Sequence, residues 1–388
     1  MKNKYYIQLT PFFPSEDYFS GPYVYDHVVS LKKMINHRII VIKVYNSIFP
    51  FINNNYKYTY QGIEVYCFKA MNLPSFLFPG LFQKFNLKRF NNFLKSTLQI
   101  SHNDIEVIHA HGLYPCGHIA VDLGLRFKIR NFIHHHGLDV LQILNIRFIP
   151  KIFKKTYIKK FSSKQLRILN STDLNIGVSQ KVIDELEKIE SYQNNNYVLH
   201  NGVNIKKFFK LNNIKRYRKD FKIGCIGNFL ETKDQLLLLK AIRSLNYDDI
   251  QVFFIGTGPK LRDCKEYALL NHLADRVTFM SVMDHSKLNE FYNNIDLFVL
   301  PSYYEAFGCV YTEALSAGIP VIAIKNQGIE EVIHEQDKQH FLIDKKNVKQ
   351  LEDLIIYHYK NRKKYDNYNF DIDKLTSVFA KDTKIFHE

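Results

Sequence analysis

Residues 297–324, LFVLPSYYEAFGCVYTEALSAGIPVIAI, hold the pattern on which the reading of the whole chain turns. The apolar run Leu297 to Leu300 has the length and character of a buried strand. It enters Pro301 and Ser302, then a loop carrying Glu305, then Gly308. A helix is predicted over 308–317, ended by Gly318 as a left-handed terminator, with Pro320 preventing continuation. A second apolar run, Pro320 to Ile324, follows. The N–H groups around Phe307 to Val310 open this helix beyond the strand end, and a helix N-terminus is a ready anion site. Glu305 falls in the loop over that mouth and Glu313 about one and a half turns inside the helix. Carboxylates accept hydrogen bonds and suit the vicinal hydroxyls of a ribose or hexose, while the amides suit a diphosphate. Solvated helix faces often carry two glutamates at this spacing, so the surrounding strand, turn and helix give the pair its meaning.

Outward from this unit the same rhythm repeats. Phe221 to Ile226, Gln251 to Ile255 and Val277 to Phe279 read as strands, with helices over 233–245, 259–272 and 286–293. An earlier series has strands at Tyr5 to Leu9, Ile39 to Val44, Ile63 to Phe68, Ile105 to His109, Phe132 to His134 and Leu174 to Val178. Helices are predicted over 22–34, 84–99, 114–126, 151–170 and 179–189. This alternation predicts two α/β, doubly wound domains with parallel sheets, whose ligands bind at the carboxyl ends of the strands. At 388 residues the chain is long for a single core. The basic stretch 205–221, IKKFFKLNNIKRYRKDF, lacks a turn glycine and reads as a linker between residues 1–204 and 222–370. The cleft is expected between those halves. Residues 371–388 carry helical spacing in Ile372, Leu375, Val378 and Phe379, a helix able to pack back on the N-terminal domain.

Composition excludes more than it selects. Hydrophobic residues at 46% and charged residues at 23% are those of a globular protein. Cys67, Cys116, Cys225, Cys264 and Cys309 are dispersed and form no C-x-x-C pair, which argues against a disulfide framework or a zinc knuckle. Met1 to Tyr6 is polar and leads to no apolar h-region, and no segment has the ~20 apolar residues of a membrane span. A cytoplasmic or peripheral location is expected. The net charge of +15 admits nucleic acid, an anionic membrane or an anionic small substrate. No nucleic-acid module accompanies it, so no nucleic-acid partner is expected.

The stretch P-S-Y-Y-E-A-F-G-C-V-Y-T-E-A-L-S-A-G-I-P-V-I-A resembles the E-x7-E signature of the retaining glycosyltransferases with the GT-B fold, the family 4-like, group 1 class. Further motifs fit in order. Gly224-Cys225-Ile226-Gly227-Asn228-Phe229 with Lys233 resembles the first strand and phosphate loop of the family's C-terminal domain. Phe254-Ile255-Gly256-Thr257-Gly258-Pro259 is similar to its second G-x-G-P turn. Leu199-His200-Asn201-Gly202-Val203-Asn204 resembles its P-N-G-V-D element. The resemblance implies two Rossmann-like domains facing across a cleft and a nucleotide diphosphate sugar as donor. It implies that Glu305 contacts donor-sugar hydroxyls and Glu313 the ribose hydroxyls. Amides of Ala306, Phe307 and Gly308 line the sugar and diphosphate, and Gly256 belongs to the donor site. Lys233 is implied to neutralise the leaving diphosphate, whose charge grows as the glycosidic bond breaks. The family often has an arginine five residues before that lysine. Asn228 stands there and brings hydrogen bonds without charge.

In the first half, the loop P-F-F-P-S-E-D-Y-F-S-G-P-Y (11–23) aligns with a loop that has paired glycines in the family. Gly21 matches one of them and Pro22 stands in place of the other, where it also fits a first helical turn. His109-Ala110-His111-Gly112 and His134-His135-His136-Gly137-Leu138-Asp139 end two strands. Alternation puts His109 and His111 on one face, and His134 and His136 on a shared face of theirs. Imidazoles at this spacing can chelate, but no cysteine or paired carboxylate completes a site, and the family needs no D-x-D metal. No metal and no other cofactor is expected. H-H-G-L-D resembles the family's H-G-x-D element, which makes His136 the catalytic-site choice of this domain, with Asp139 supporting it and His111 beside it on the acceptor side. No residue is available as a double-displacement nucleophile, since Glu305 is given to hydroxyls. Front-face attack is therefore favoured for a retaining transfer.

Two basic amphipathic stretches, 81–95 (LFQKFNLKRFNNFLK) and 151–167 (KIFKKTYIKKFSSKQLR), have the composition of helices that lie on an anionic leaflet. The leading expectation is transfer of a hexose to a growing glycan or lipid-linked acceptor, in surface polysaccharide or lipopolysaccharide synthesis. The other readings are a UDP-GlcNAc 2-epimerase-like enzyme on the same fold and a non-catalytic nucleotide-sugar or glycan-binding protein. One architecture hosts all three.

Overall fold

In a computed structural model, which describes residues 4–16, 20–47, 56–71, 82–137, 139–140, 163–211, 220–362, 365 and 368–385, the apolar runs become the strands of two sheets. The chain divides into two units, one of Met1–His200 with Asp373–Glu388 and one of Asn201–Ile372.

The first sheet contains β1 (Tyr5–Thr10), β2 (Arg38–Ser47), β3 (Lys57–Tyr60), β4 (Ile63–Met71), β5 (Ile105–His111), β6 (Arg130–His135), β7 (Leu174–Gly177) and β8 (Asn196–Val198). Their order is β3-β4-β2-β1-β5-β6-β7-β8, parallel except for the β3–β4 hairpin. The chain winds outward in one direction from β1 and in the other from β5. That reversal leaves a crevice at the carboxyl ends of these two strands. The loop ending in Gly21 and the His111 loop open into it.

The second sheet contains β9 (Phe221–Ile226), β10 (Ile250–Ile255), β11 (Val277–Met280), β12 (Leu297–Val299), β13 (Val321–Ile324) and β14 (Leu342–Ile343). Its order is β11-β10-β9-β12-β13-β14, all parallel. The winding reverses between β9 and β12. The loops after these strands, 227–234 and 300–308, therefore sit side by side. Both units are doubly wound α/β folds, as the alternation of the sequence predicts.

Helices follow the apolar periodicity. Pro22–Lys32 starts with Pro22 in its first turn, where the missing N–H costs nothing. Gln83–Ser96 buries Phe90, Phe93 and Leu94 against the sheet, with the Phe68 and Phe90 ring centroids 5.1 Å apart. The predicted 114–126 helix begins at His118. Residues 163–171 are helical, and the preceding part of the predicted 151–170 helix lies outside the described residues. Lys233 ends a single 3-10 turn, and the helix it was expected to start runs over Gln235–Ser244.

The boundaries differ from the sequence reading. Residues 201–204 belong with the second unit, because Val203 N–H donates to the Phe370 carbonyl at 2.7 Å and Ile372 N–H to the Val203 carbonyl at 3.1 Å. In the stretch read as a linker, Phe208 is buried in the second core, and the Phe209 and Leu211 amides donate to the side chains of Asn289 and Asn293. The helix Ile372–Asp382 lies in the first unit from Asp373 onward. Its Phe379 is fully buried, with the Tyr197 and His27 rings at 5.5 and 5.8 Å. Truncating such a core phenylalanine costs roughly 3–5 kcal/mol.

Candidate active site

Two clusters of polar side chains stand at the two crevices. In the second unit, the Gly-rich turns are held by backbone packing before any ligand is considered. Gly256 lies at φ 145°, and a Cβ there would meet the Gly227 carbonyl oxygen at 2.2 Å. Gly227 N–H donates to the Ile255 carbonyl and Phe229 N–H to that of Thr257, so the two loops form one platform. Gln235 Nε2 donates to the Asn228 carbonyl at 3.1 Å, which fixes the backbone there while the Asn228 side chain is exposed.

The adjacent strands bring Lys233 to Glu305. Their side chains form an ion pair, each only about a fifth or less exposed. Around it, Tyr303 N–H and Ser302 Oγ both donate to the Thr232 carbonyl, tying the two loops together. Glu305 N–H donates to Gln327 Oε1 at 2.8 Å. Gly328 closes the same loop: a Cβ there would overlap the Ala306 carbonyl oxygen at 1.9 Å. Gly308 sits at φ 88°, and the helix runs over Cys309–Ser316. The first intrahelical bond comes from Tyr311 N–H, so the Cys309 and Val310 amides precede it. Phe307 is buried, and Ala306 and Gly308 are half-buried. Gly318 takes the left-handed conformation, and Ile319 N–H returns to the Ala314 carbonyl at 2.9 Å.

Glu313 is only 8% exposed, just over one turn into the helix. Its Oε2 accepts from the Tyr292 hydroxyl at 2.8 Å, and its Oε1 lies 3.5 Å from His285 Nε2. Burial, reinforced by this carboxylate, pushes the Tyr292 hydroxyl far above its usual range, so it stays a proton donor. Tyr292 and His285 escaped the sequence reading, as did the contact of Gln327 with Glu305. Gln327 lies in the stretch Asn326 to Ile333 that follows the helix, and its spacing from Glu305 could have pointed to it. Nothing local marks Tyr292.

In the first unit, four histidines face one way. The register His111↔His134 between β5 and β6 places both strands' imidazoles on one side of the sheet. The faces that alternation assigned strand by strand are thus a single face. Ring centroids are 4.8 Å apart for His109 and His111, 5.2 Å for His111 and His134, and 4.7 Å for His134 and His136. Gln8 Oε1 meets His111 Nε2 at 2.8 Å, and His111 Nδ1 meets His136 Nε2 at 2.9 Å. Phe12 and Tyr23 flank His136 at 5.5 and 4.8 Å, which brings the Gly21 turn alongside it. Gly21 itself is at φ 70°, and a Cβ would press on the Phe12 carbonyl oxygen at 2.8 Å.

Asp139 corrects one expectation. Its carboxylate pairs with the His135 ring at 2.7 Å and reaches His136 only through the backbone N–H at 3.2 Å. The reason is geometric: strand alternation puts the His135 ring on the face opposite His134 and His136, where it also meets Asn175 Oδ1 at 2.9 Å. Burial opposes the charge on Asp139, but the His135 charge and hydrogen bond outweigh it and hold the carboxyl below its usual range. Burial lowers His136 to about 4, against some opposition from Asp139. Burial, with mutual repulsion, drives His109, His111 and His134 well below 6.5. The stack is neutral near pH 7.

Donor nitrogens of His109, His111 and His134 all lie within 4.8 Å of one another, the one group of this kind among the described residues. Their rings are within 9 to 28° of parallel. Imidazole lone pairs lie in the ring plane, so stacked rings do not aim them at a common point, and both nitrogens of His111 are already engaged. The arrangement does not suit a tetrahedral ion with ~2.0–2.1 Å bonds. The five cysteines are free thiols, four of them buried.

Two doubly wound units, one with a cation–carboxylate pair at the mouth of a short helix, define a two-domain α/β protein with a candidate anion site. The comparisons narrow the class. Residues 206–370 match the model of glycosyl transferases group 1, and residues 60–207 that of glycosyltransferase family 4. The two models together span residues 60–370, and the fold is the GT-B fold of glycosyltransferases. It is 25% identical over 279 residues to an uncharacterised glycosyltransferase of Methanocaldococcus jannaschii, covering 70% of this chain and 72% of that one. It is 24% identical over 246 residues to the N-acetyl-alpha-D-glucosaminyl L-malate synthase of Bacillus anthracis, spanning 60% of each. Among solved structures, Anabaena HepE in complex with UDP and glucose superposes with a TM-score of 0.73 at 16% identity, over 98% of this chain and all of that one. At that identity the likeness shows the fold alone.

Proposed function

We propose that the protein is a retaining glycosyltransferase that moves a hexose from a nucleotide diphosphate sugar to a glycan or lipid-linked acceptor of a surface polysaccharide. The observation that carries this reading is the Lys233–Glu305 pair beside the Cys309–Ser316 helix. One partner is suited to a diphosphate and the other to sugar hydroxyls, and they meet where helix amides open. Lys233 takes the growing charge on the departing diphosphate, together with amides of Ala306 to Gly308. Glu305 holds the donor sugar, and Glu313, kept in place by Tyr292, holds the ribose. Asn228 and Gly256 shape the phosphate loop. In the first unit Gly21, His111 and His136 are assigned to the sugar and acceptor side. Asp139 positions the loop of His136 through its backbone.

In the front-face step, the acceptor oxygen bonds the anomeric carbon as the bond to the diphosphate oxygen breaks. The acceptor proton passes to that departing oxygen. The product keeps the donor's configuration, which NMR of the anomeric proton reads directly; an inverted linkage overturns the mechanism. Lysine and amides carry the charge in this scheme, so activity should survive a chelator, and its abolition would refute a metal-free transfer.

No helix among the described residues is long and apolar enough to cross a membrane. The donor base follows from a thermal-shift screen of UDP-, GDP-, ADP- and dTDP-sugars, in which the preferred donor raises the midpoint by mass action.

A further inference from the structure

A basic groove of about 990 Å³ lies on the first unit between the helices Gln83–Ser96, His118–Phe127 and 163–171. We infer that it binds an acidic saccharide, a chain bearing carboxylate or phosphate groups. If that saccharide is part of the acceptor, the inference rests on the glycosyltransfer reading; the binding itself does not.

Six cations, Lys84, Lys88, Lys95, Arg126, Lys164 and Arg167, line the groove against a single carboxylate, Asp122. That carboxylate is already occupied: Arg167 reaches it at 3.0 Å and the Gln83 amide donates to it. Lys84, Lys88 and Lys95 share one face of their helix, which contains no acidic residue, and form no ion pair among the described residues. Like charges held this close in one recess repel, and an anionic ligand relieves that repulsion. The local field is visible on His102 at the groove wall. Burial lowers its pKa, and the charges of Lys95 and Arg126 lower it further.

The remaining lining favours a saccharide over a lipid surface. The rings of His102 and Phe127 stack at 3.7 Å and 6° from parallel, with His102 fixed by Asn91 at 2.9 Å. Flat rings among cations offer apolar contact for the carbon faces of sugar rings and leave the acidic groups to the lysines. A bilayer is held by protruding apolar side chains, whereas Leu87 and Phe127 are half-buried here. The wall is also preformed. His118 Nε2 meets Gln165 Oε1 at 2.8 Å in the interior and locks the 163–171 helix to its neighbour. The volume is at the upper end of the ~300–1,000 Å³ of small-molecule sites, room for several sugar rings.

The full chain is titrated with tetragalacturonate, with neutral maltotetraose and with phosphatidylglycerol–phosphatidylcholine vesicles, and the thermal shift with donor is measured on the same samples. Tetragalacturonate should bind, lose affinity as salt rises, and weaken at least about tenfold in the triple variant Lys84→Gln, Lys88→Gln, Lys95→Gln. Should the triple variant misfold, Arg126→Gln at the exposed helix end reads the same loss at smaller size. No tetragalacturonate binding, equal binding of maltotetraose, or capture by vesicles alone each overturns the inference. Failure of the donor shift with intact tetragalacturonate binding breaks the transferase reading and leaves the groove standing.

Discussion

The two crevices solve the problem of buried polarity in opposite ways. In the second unit the groups are charged and matched: Lys233 with Glu305, and Glu313 with a tyrosine hydroxyl. In the first unit they are neutral imidazoles, stacked and only partly satisfied. Among the described residues, His134 has no hydrogen-bond partner on either nitrogen, and His27 and His109 each leave Nε2 unpaired. A buried neutral imidazole keeps its state only while the solution stays well above its lowered pKa. Of the two crevices, the first is the one whose buried imidazoles gain charge as the solution is acidified.

The strongest way to break this comparison is at the charged end. Lys233→Ala should lower kcat about 10²- to 10³-fold, the size of losing one leaving-group stabiliser. A loss below tenfold, measured at saturating donor, would remove Lys233 from the mechanism. Glu305→Gln keeps the shape but breaks the ion pair and weakens the grip on hydroxyls. It should cost roughly tenfold or more in kcat/KM, and unchanged kinetics would strip Glu305 of its role.

Acidification probes the neutral end. Burial holds His136 and His118 to about 4 and His27 to about 3 in the folded state, against an ordinary 6.5. Folded pKa values below unfolded ones mean that the unfolded chain binds more protons in between. Stability is therefore intact above about pH 6.5 and lost as the pH falls toward 4, by up to ~1.4 kcal/mol per unit per group. Among the described residues of the second unit, His358 alone has a histidine pKa so lowered, also to about 4. Calorimetry from about pH 7.5 to about pH 5 should move the first unit's transition down further than the second's; parallel shifts would contradict the contrast. The smallest effect sharpens it. His134→Leu replaces an unsatisfied buried imidazole with an apolar group of similar size, which should stabilise the first unit by about 1 kcal/mol, or ~2–4 °C in its midpoint. A lower midpoint would mean that a partner satisfies this ring in solution.

How far the sequence carried the reading depended on where the information lay. Apolar runs located most strands of each half, though not their order in the sheets, and Gly318 with Pro320 marked the helix end. The edge strand Lys57–Tyr60 was missed because four residues, with only Tyr58 and Tyr60 on the inner face, make too short an alternation, and Leu342–Ile343 because two residues make no pattern. Helices Glu335–Phe341 and Val348–Asn361 went unclaimed although Asn347 caps the second through the Gln350 amide. At the site, glycines and glutamates were legible because backbone approach and hydroxyl binding demand those residue types. Pairings were not. Lys233 and Glu305 are 72 positions apart and meet only because the winding of the sheet reverses between β9 and β12. Likewise, the run of three histidines before Gly137 does not say which imidazole Asp139 will hold.

The resting ion pair has one more consequence. A bare phosphate that captures Lys233 strands Glu305 without a counterion, and a neutral sugar that engages Glu305 strands the lysine. Only a molecule offering an anion and hydroxyls together compensates both at once. On the proposed transferase reading, the pair thus acts as a two-key lock that favours an intact donor over either fragment and loosens its hold once the two have been parted.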